Sequence, residues 1–445
     1  MIEHADRPCD RESIERIVRS GEIRTVRMML PDMHGVARAK MVTAGHFLEV
    51  IDSGHSWGIP LIMADLWQNV PSDREVPTGN ATIWPDLSTF ARLPWAPHVA
   101  HVICDVALPG GGVATARDVL RRVLESAATS GFEPLFGNEL EFYVYEPIGD
   151  GPKLPVVGMS EWFTDQALAK RQPFLDDLFA FLPLLGVPVY EIFNEHGAGQ
   201  LEINLSPSTG VSALDWVFIA KAAIKEVARL HGLHATFMPV PRNDTETPPS
   251  GYHLHQTLLG DDGVNLFVPK HGDAALSEVG LSYVAGQLEH APALTGLVAQ
   301  TVTAYKRYRP GTWAPMRAGW GIDNRTAMVR ALPRGVGTHI ENRLGSSCAN
   351  PYLLAAAEVA AGLDGVARRL DPGQPCAGNV ADDQRYPSVP LSLWEGLQAV
   401  QADNVLCVAL DAEFVAMYHG VMLLTWRRFQ SYVTDWEFSE YREVL

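Results

Sequence analysis

Residues Gly137 to Tyr145 alternate polar and apolar side chains with a period of two, which makes the run a strand with Glu139, Glu141 and Tyr143 on one face and Leu140, Phe142 and Val144 on the other. This alternation constrains the fold strongly. The apolar face demands a core, while two carboxylates at i and i+2 in an apolar run repel each other and lose hydration unless a cation lies between them. On an outer sheet bathed in water the same acids need no partner, and this run alone does not separate the two readings. Three later runs repeat the design. Gln200, Glu202 and Asn204 alternate with Leu201, Ile203 and Leu205; His253, His255 and Thr257 share a face in Tyr252 to Leu258; His339, Glu341 and Arg343 share one in His339 to Leu344. Four half-polar strands predict one shared polar site. Oxygen ligands with an imidazole suit Mg2+ or Mn2+, and the chain has neither paired cysteines nor a His-Glu-x-x-His helix to suggest zinc.

The length of 445 residues allows two or three domains, and 47% hydrophobic with 20% charged residues is ordinary globular composition. A formal charge of −17 argues against a nucleic-acid surface, which Lys and Arg would have to build. The first residues are polar with no apolar segment behind them, so no signal peptide is expected. The most apolar helical stretch, Tyr352 to Ala367, is interrupted by Glu358 and Asp364 and falls short of a membrane span. Five scattered cysteines fit a reducing compartment. The expectation is a soluble, cytoplasmic protein.

Along the chain, a short helix over 11–21 precedes a hairpin of strands at 23–30 and 36–42, an irregular Pro-, Asp- and Trp-rich stretch at 67–97, and a strand at 99–106. These predict a small α+β N-terminal domain over residues 1–110. Pro109 to Gly112 marks the boundary, and a second domain over 111–445 opens with an amphipathic helix at 115–130. Helices at 214–230 and 274–291 interleave with the polar-faced strands without a strict βαβ rhythm, predicting a mostly antiparallel sheet with helices outside it. Residues 149–171 read as a surface excursion, and helices are expected at 391–400 and 406–421. The aromatic and charged last fifteen residues read as a tail that docks on a neighbour or frays.

Taken in order, these motifs resemble the glutamine synthetase family over nearly the whole chain. The matching signatures are Asn138 to Phe142, Glu195 with Gly199 to Glu202, Ser250 to His255, Tyr305 to Arg307 with Pro310-Gly311, Asn324 to Arg330, and Glu341 to Arg343 followed by Ala349 to Tyr352. The resemblance implies an N-terminal β-grasp domain, an antiparallel catalytic funnel with ATP at one mouth, and a homododecamer of two hexameric rings whose sites lie between subunits. It implies Glu141, Glu195 and Glu202 around one divalent ion and Glu139, His253 and Glu341 around another, for two or three Mg2+ or Mn2+ in all. Arg307 and Arg343, with Gly251, are implied at the glutamate carboxylate; Arg325 and Arg330 at the phosphates; His255 and Thr257 at the nucleotide. Arg325, Arg307 and Arg343 are the implied catalytic arginines. The implied chemistry is phosphorylation of a carboxylate by ATP followed by attack of an amine on the acyl phosphate. Metal ions and planar guanidinium forks serve that reaction by neutralising phosphate and carboxylate charge.

The sequence departs from the family where the nucleophile binds. Ammonia-using members carry a Glu in Gly-Tyr-Glu-Ala-Pro, where this chain has Gly311-Thr312-Trp313-Ala314-Pro315. Their N-terminal loop brings an Asp into the neighbour's site, where this chain aligns Gly58 beside Trp57. Pro248-Pro249 replaces the usual Asn-Gly ahead of Ser250, which puts the identity of the acid substrate in question, and His339 stands where a nucleotide-side Arg is common. An alkylammonium, with a pKa near the roughly 10.4 of lysine, arrives charged and needs a base, whereas an aromatic amine arrives neutral. Trp313 and Trp57, with Gly58, are therefore expected to form an amine pocket that favours an aniline-like amine by stacking. The alternatives are an alkylamine or polyamine ligase, an ordinary ammonia-using enzyme, and a non-catalytic structural or regulatory relative.

Overall fold

The structure is a computed structural model that describes residues 10–72, 76, 78–148, 151–153, 161–242, 246–270 and 274–445. Part of the expected excursion, residues 149–150 and 154–160, lies outside the described residues. The architecture is α+β, built on two sheets.

The first sheet is formed by β1 (Thr25–Pro31), β2 (Ala37–Thr43), β3 (His55–Gly58), β4 (Asn80–Pro85), β5 (Ala91–Leu93) and β6 (Ala96–Ala107), in the order β2-β1-β6-β4-β3 with β5 also on β6. The β1–β2 hairpin turn is closed by the Asp32 carboxylate, which accepts from the His34 and Val36 amides at 2.9 Å each and pairs with Arg38 at 2.8 Å. Gly35, at φ +75°, is required there, because a Cβ would lie 2.8 Å from Asn350 Cα. The expected irregular stretch at 67–97 instead contains β4 and β5. Its Pro and Asp residues obscured a short alternation in which Ala81 and Ile83 point into the core. The Ala44–Ser53 helix, capped by the Thr43 hydroxyl, was also unforeseen.

The second sheet comprises β7 (Glu133–Ile148), β8 (Gly151–Lys153), β9 (Val189–Asn194), β10 (Gln200–Thr209), β11 (His234–Thr236), β12 (Tyr252–Leu259), β13 (Trp320–Ile322), β14 (Val329–Leu332) and β15 (His339–Asn342). Its order is β13-β14-β15-β12-β7-β10-β9, with β8 and β11 also pairing β7; every pair is antiparallel except β13–β14. Register gathers the polar faces: Glu139 lies opposite both Asn204 and His253, Glu141 opposite Glu202, and Glu341 opposite both His255 and Arg330. The other face, with Leu140, Phe142, Leu201, Ile203, Leu254 and Ile340, is buried in the core. Helices Ala116–Thr129 and Ser212–Leu230 pack on β7, and Pro351–Arg368 packs on both of them.

One expected helix is followed by another and one is divided. The 274–291 helix is Glu278–Glu289, and a second helix, Ala291–Val298, follows it with a proline in its first turn. The 406–421 helix is Asn404–Ala409 and Ala412–Gln430, separated by Asp411 at φ +77°, whose carboxylate caps the second by accepting from the Glu413 and Phe414 amides. The tail carries a short helix, Asp435–Tyr441, opened by a Thr434/Glu437 capping box. Among the described residues no helix is long and apolar enough to cross a membrane.

Candidate active site

Two cavities open on the polar face of the second sheet, of about 790 Å³ and about 780 Å³, and Glu139 and Asn204 line both. The larger is lined by Glu139, Glu141, Glu195, Glu202 and His253 together with Arg307, Arg325, Arg330, Arg343, Gly251 and Trp313. Thus side chains far apart in sequence meet because four strands bring their polar faces together.

Ligand atoms of Glu139, His253 and Glu341 all lie within 4.8 Å of one another. His253 Nδ1 is 2.9 Å from Glu139 and 3.5 Å from Glu341. Burial opposes charge on Glu139, but hydrogen bonds with His253 and His255 outweigh it and hold this carboxyl well below the usual range. Burial opposes charge on Glu341 likewise, yet Arg343 beside it brings the carboxyl down to about 2. The other set behaves in the opposite way. Burial, with Glu195 next, pushes Glu141 up to about 8, and burial with the charge of Glu139 raises Glu202 well above its ordinary value. Burial raises Glu195 too, although the His196 amide donates to it. Crowded, dehydrated carboxyls that resist ionising together are what a divalent cation relieves.

The arginines are held from behind. Arg307 is buried and donates to the Leu344 and Gly345 carbonyls at 3.1 and 2.7 Å. Arg343 pairs with Glu341, and Arg330 reaches Glu341 at 3.0 Å while its other nitrogens pair with Asp323. Arg325 is exposed at the cavity, and its charge is felt at Glu195. Gly251 leaves no room for a side chain, since a Cβ would lie 2.6 Å from His253 Nε2 and 2.9 Å from Arg307 Nη2. Its amide donates to Glu141 at 2.9 Å.

The smaller cavity holds His255, Thr257 and His339. His255 Nε2 is 3.0 Å from Glu139, and its Nδ1 is 3.0 Å from His339 Nε2. The Thr257 hydroxyl donates to Asn265 at 2.6 Å. Tyr190, Val264 and Val336 supply exposed apolar surface around it.

Trp313 lines the larger cavity 58% exposed, with φ +58°. A bulky residue in that region costs about 1–3 kcal/mol. The loop is pinned by Thr312, whose hydroxyl lies 2.6 Å from the Arg307 carbonyl and 2.7 Å from that of Arg309. Pro248 and Pro249 line the same space, and their carbonyls accept from the Tyr143 hydroxyl and the Gln200 amide.

Trp57 departs from its expected place. It is 2% exposed, packed in the core of the first sheet with Lys40 Nζ 5.0 Å from its ring centroid, and neither it nor Gly58 lines either cavity of the chain. Trp57 is the buried residue of β3, and its indole is spent on packing within the first sheet. The sequence reading also missed Trp162, Phe163, Phe193, Glu191 and Glu246, all of which line the larger cavity. The available signal was an adjacent pair of large aromatics inside an otherwise Gly- and Pro-containing excursion.

Residues 114–441 match the family described as glutamine synthetase, catalytic domain. The chain belongs to the glutamine synthetase family. It is 31% identical to the glutamine synthetase of Thermotoga maritima, over 97% of this chain and 99% of that protein. It is 32% identical to the glutamate–methylamine ligase of Methyloversatilis universalis, over 97% and 99% of the two chains. The solved GmaS/ADP complex superposes with a TM-score of 0.87 at 29% identity, covering 97% of this chain and 99% of that one. Enzymes of this family are ATP-dependent carboxylate–amine ligases that use divalent metal, and this chain is one of them.

The donor set fits such ions: the cluster of Glu139, His253 and Glu341 is oxygen-rich with one imidazole, and burial keeps the carboxyls of Glu141, Glu195 and Glu202 raised even with Arg307, Arg325 and Arg343 in the same cavity. When bound there, divalent metal supplies neutralisation of phosphate charge.

Proposed function

We propose that the chain transfers the γ-phosphoryl group of ATP to the γ-carboxylate of glutamate and joins the resulting acyl phosphate to an amine other than ammonia, with an aniline-like amine preferred. Glutamate oxygen attacks the terminal phosphorus and ADP leaves. The amine nitrogen then attacks the acyl carbon, the bond from that carbon to the phosphate oxygen breaks, and the amine proton passes to a cavity carboxylate or to the departing phosphate. In this reading Glu141, Glu195 and Glu202 hold one ion and Glu139, His253 and Glu341 another, with a third completing the set where three are used. Arg307 and Arg343, with the Gly251 backbone, hold glutamate; Arg325 and Arg330 face the transferred phosphoryl group; His255 and Thr257 line the nucleotide end.

The observation that carries the amine assignment is Trp313, an exposed indole in the cavity of the carboxylates and arginines, at the position where the family's ammonia users have an acid. An apolar wall disfavours a bound cation and stabilises only a substrate with a hydrocarbon body. ADP release with glutamate and a panel of aniline, methylamine and ammonium tests this. Faster turnover of aniline than of ammonium, reversed in Trp313→Glu, is the expected result. Ammonium used as well as every organic amine would restore the ordinary synthetase, and no ADP release with any amine would leave a non-catalytic relative.

A second reading, an alkylamine ligase, is favoured by Glu191 and Glu246, which line the cavity and offer a base for an alkylammonium. The methylamine ligase among its relatives points the same way. Better use of methylamine than of aniline would select it. We also propose a cytoplasmic homododecamer of two hexameric rings in which a neighbour's first sheet completes each site, with no nucleic-acid or membrane partner. A native mass twelve times the 48.7 kDa of the chain supports the paired rings, and a sixfold mass would leave a single ring.

A further inference from the structure

Glu358 interrupts the most apolar helix of the chain, Pro351–Arg368, and is 0% exposed, as are Ala357 and Val359 on either side of it. Burial raises its carboxyl well above the ordinary 4.5, opposed only in part by the Gln256 amide, so the neutral acid is favoured. Its Oε2 accepts from Gln256 Nε2 at 2.6 Å, and its Oε1 is buried without a hydrogen-bond partner among the described residues. Packing gives no reason for an acid here, because an apolar side chain of similar volume would fill the site and leave no polar atom unmet on the helix. What the acid adds is its bond to β12.

That bond is one end of a chain of amides behind the second sheet. Gln256 Oε1 accepts from the Tyr283 hydroxyl at 2.7 Å and from Gln287 Nε2 at 3.2 Å, and the same Gln287 nitrogen donates to the Glu358 carbonyl at 3.2 Å. Gln287 Oε1 accepts from Asn342 Nδ2 at 3.0 Å, and Asn342 Oδ1 accepts from the Leu344 amide at 2.9 Å. All four of these side chains are buried. Gln256 lies between His255 and Thr257 on β12, and Asn342 between Glu341 and Arg343 at the end of β15. Because side chains alternate along a strand, the residues that bond to the helices stand directly behind neighbours that take the polar face. The helices give a fixed base: a Cβ at Gly286 would lie 2.1 Å from the Ala361 carbonyl oxygen, so Glu278–Glu289 and Pro351–Arg368 meet backbone to backbone.

We propose that Glu358 is a positioning residue for the ion site of Glu139, His253 and Glu341: through Gln256, Gln287 and Asn342 it holds the strand of His253 at a fixed spacing from the strand of Glu341. The proposal rests on the metal reading of that cluster and adds to it a residue that touches neither ion nor substrate. β12 and β15 pair only through Leu254↔Asn342, His255↔Glu341 and Gln256↔Ile340, so the ladder is short and the amide chain braces it from behind. Ligand distances around a divalent ion hold to about 0.2 Å, so a small slip of one strand against the other weakens binding.

The test measures Mn2+ binding by calorimetry on the full chain, Glu358→Met and Glu358→Gln, with urea midpoints alongside to set conditions in which each variant is folded. Glu358→Met keeps much of the volume but removes the acceptor, and is expected to weaken Mn2+ about tenfold or more at one site. Glu358→Gln keeps a neutral acceptor for Gln256 and should stay within about twofold of the parent, a rescue that packing alone would not produce because Met and Gln fill similar space. In Glu139→Ala, where that site is already lost, adding Glu358→Met should change Mn2+ binding no further. Tyr283→Phe removes only a hydroxyl from Gln256 Oε1 and serves as the second probe, with Mn2+ expected to weaken about threefold. Unchanged affinity in Glu358→Met, or in Tyr283→Phe where the first does not fold, overturns the positioning role, as does equal weakening in the Met and Gln variants. ADP release by the parent alongside either result leaves the ligase standing. The expected Mn2+ pattern without ADP release from the parent with any amine supports the positioning role and overturns the ligase; a parent that binds no Mn2+ overturns the metal reading and the proposal with it.

Discussion

Glu141 carries the clearest consequence at the scale of single residues. Burial and Glu195 raise its carboxyl to about 8, so at pH 7 without metal it holds a proton that a divalent cation must displace. Mn2+ affinity should therefore climb as pH rises from 6 toward 8. Calorimetry at pH 7 in two buffers of different ionisation enthalpy should show proton release on binding, diminished in Glu141→Gln; binding heats independent of the buffer would refute the assignment. Glu139→Ala and Glu341→Ala should each lower ADP release more than about a hundredfold. Removing Glu341 also strands the buried Arg343, a loss of about 3–5 kcal/mol for a buried pair, and takes one of the two acids from Arg330, so Glu139→Ala is the cleaner variant. Near-normal turnover in it would remove the metal role from Glu139. Which acids share a face of each strand was legible in the sequence, because a period of two fixes the face; which of them meet across strands is set by register. Trp57 and Trp162 show the limit: the first follows a serine and the second a glutamate, and only tertiary packing buries the first and exposes the second.

Among elements, the half-polar strands were legible and the helix breaks were not. The expected 406–421 helix runs through 410–412, so pattern alone joins the two helices that Asp411 separates. At the other helix break, His290 ends one helix and begins the next, with Nδ1 2.6 Å from Asp403 and Nε2 3.1 Å from Asp364. Burial disfavours its charged form, but the two carboxylates outweigh that and raise its pKa above the ordinary 6.5. A raised folded-state pKa means that the stabilisation is fully present below about 6.5 and is lost as pH rises through the folded value. Urea midpoints of the parent and His290→Gln should accordingly differ most near pH 6, and the difference should shrink as pH rises. A difference that grows with pH would show that His290 is held neutral.

The whole molecule depends on how the first sheet is joined to the second, and nothing local in the sequence announces that join. Arg117, in the helix that packs on β7, is buried and donates to Asp215 at 2.8 and 2.7 Å, to Asp86 at 2.6 Å, and to Asp105. Asp86 and Asp105 belong to the first-sheet region, whereas Asp215 lies on the Ser212–Leu230 helix and also accepts from the Tyr352 hydroxyl at 2.7 Å. One guanidinium thus neutralises acids from both parts of the fold, with partners as far as 98 residues away in sequence. Such a cluster is invisible to periodicity, because each member reads as an ordinary helix or loop charge. Arg117→Met keeps much of the volume but leaves Asp215 buried without its cation, so unfolding free energy from urea titration should fall by about 3–5 kcal/mol. Adding Asp215→Asn removes the stranded charge, keeps an acceptor for Tyr352, and should recover part of that loss, making the double variant more stable than the sum of the singles requires. A loss under about 1 kcal/mol for Arg117→Met, or strictly additive losses in the pair, would mean that the sheets are joined by apolar packing and that the buried arginine is incidental to it.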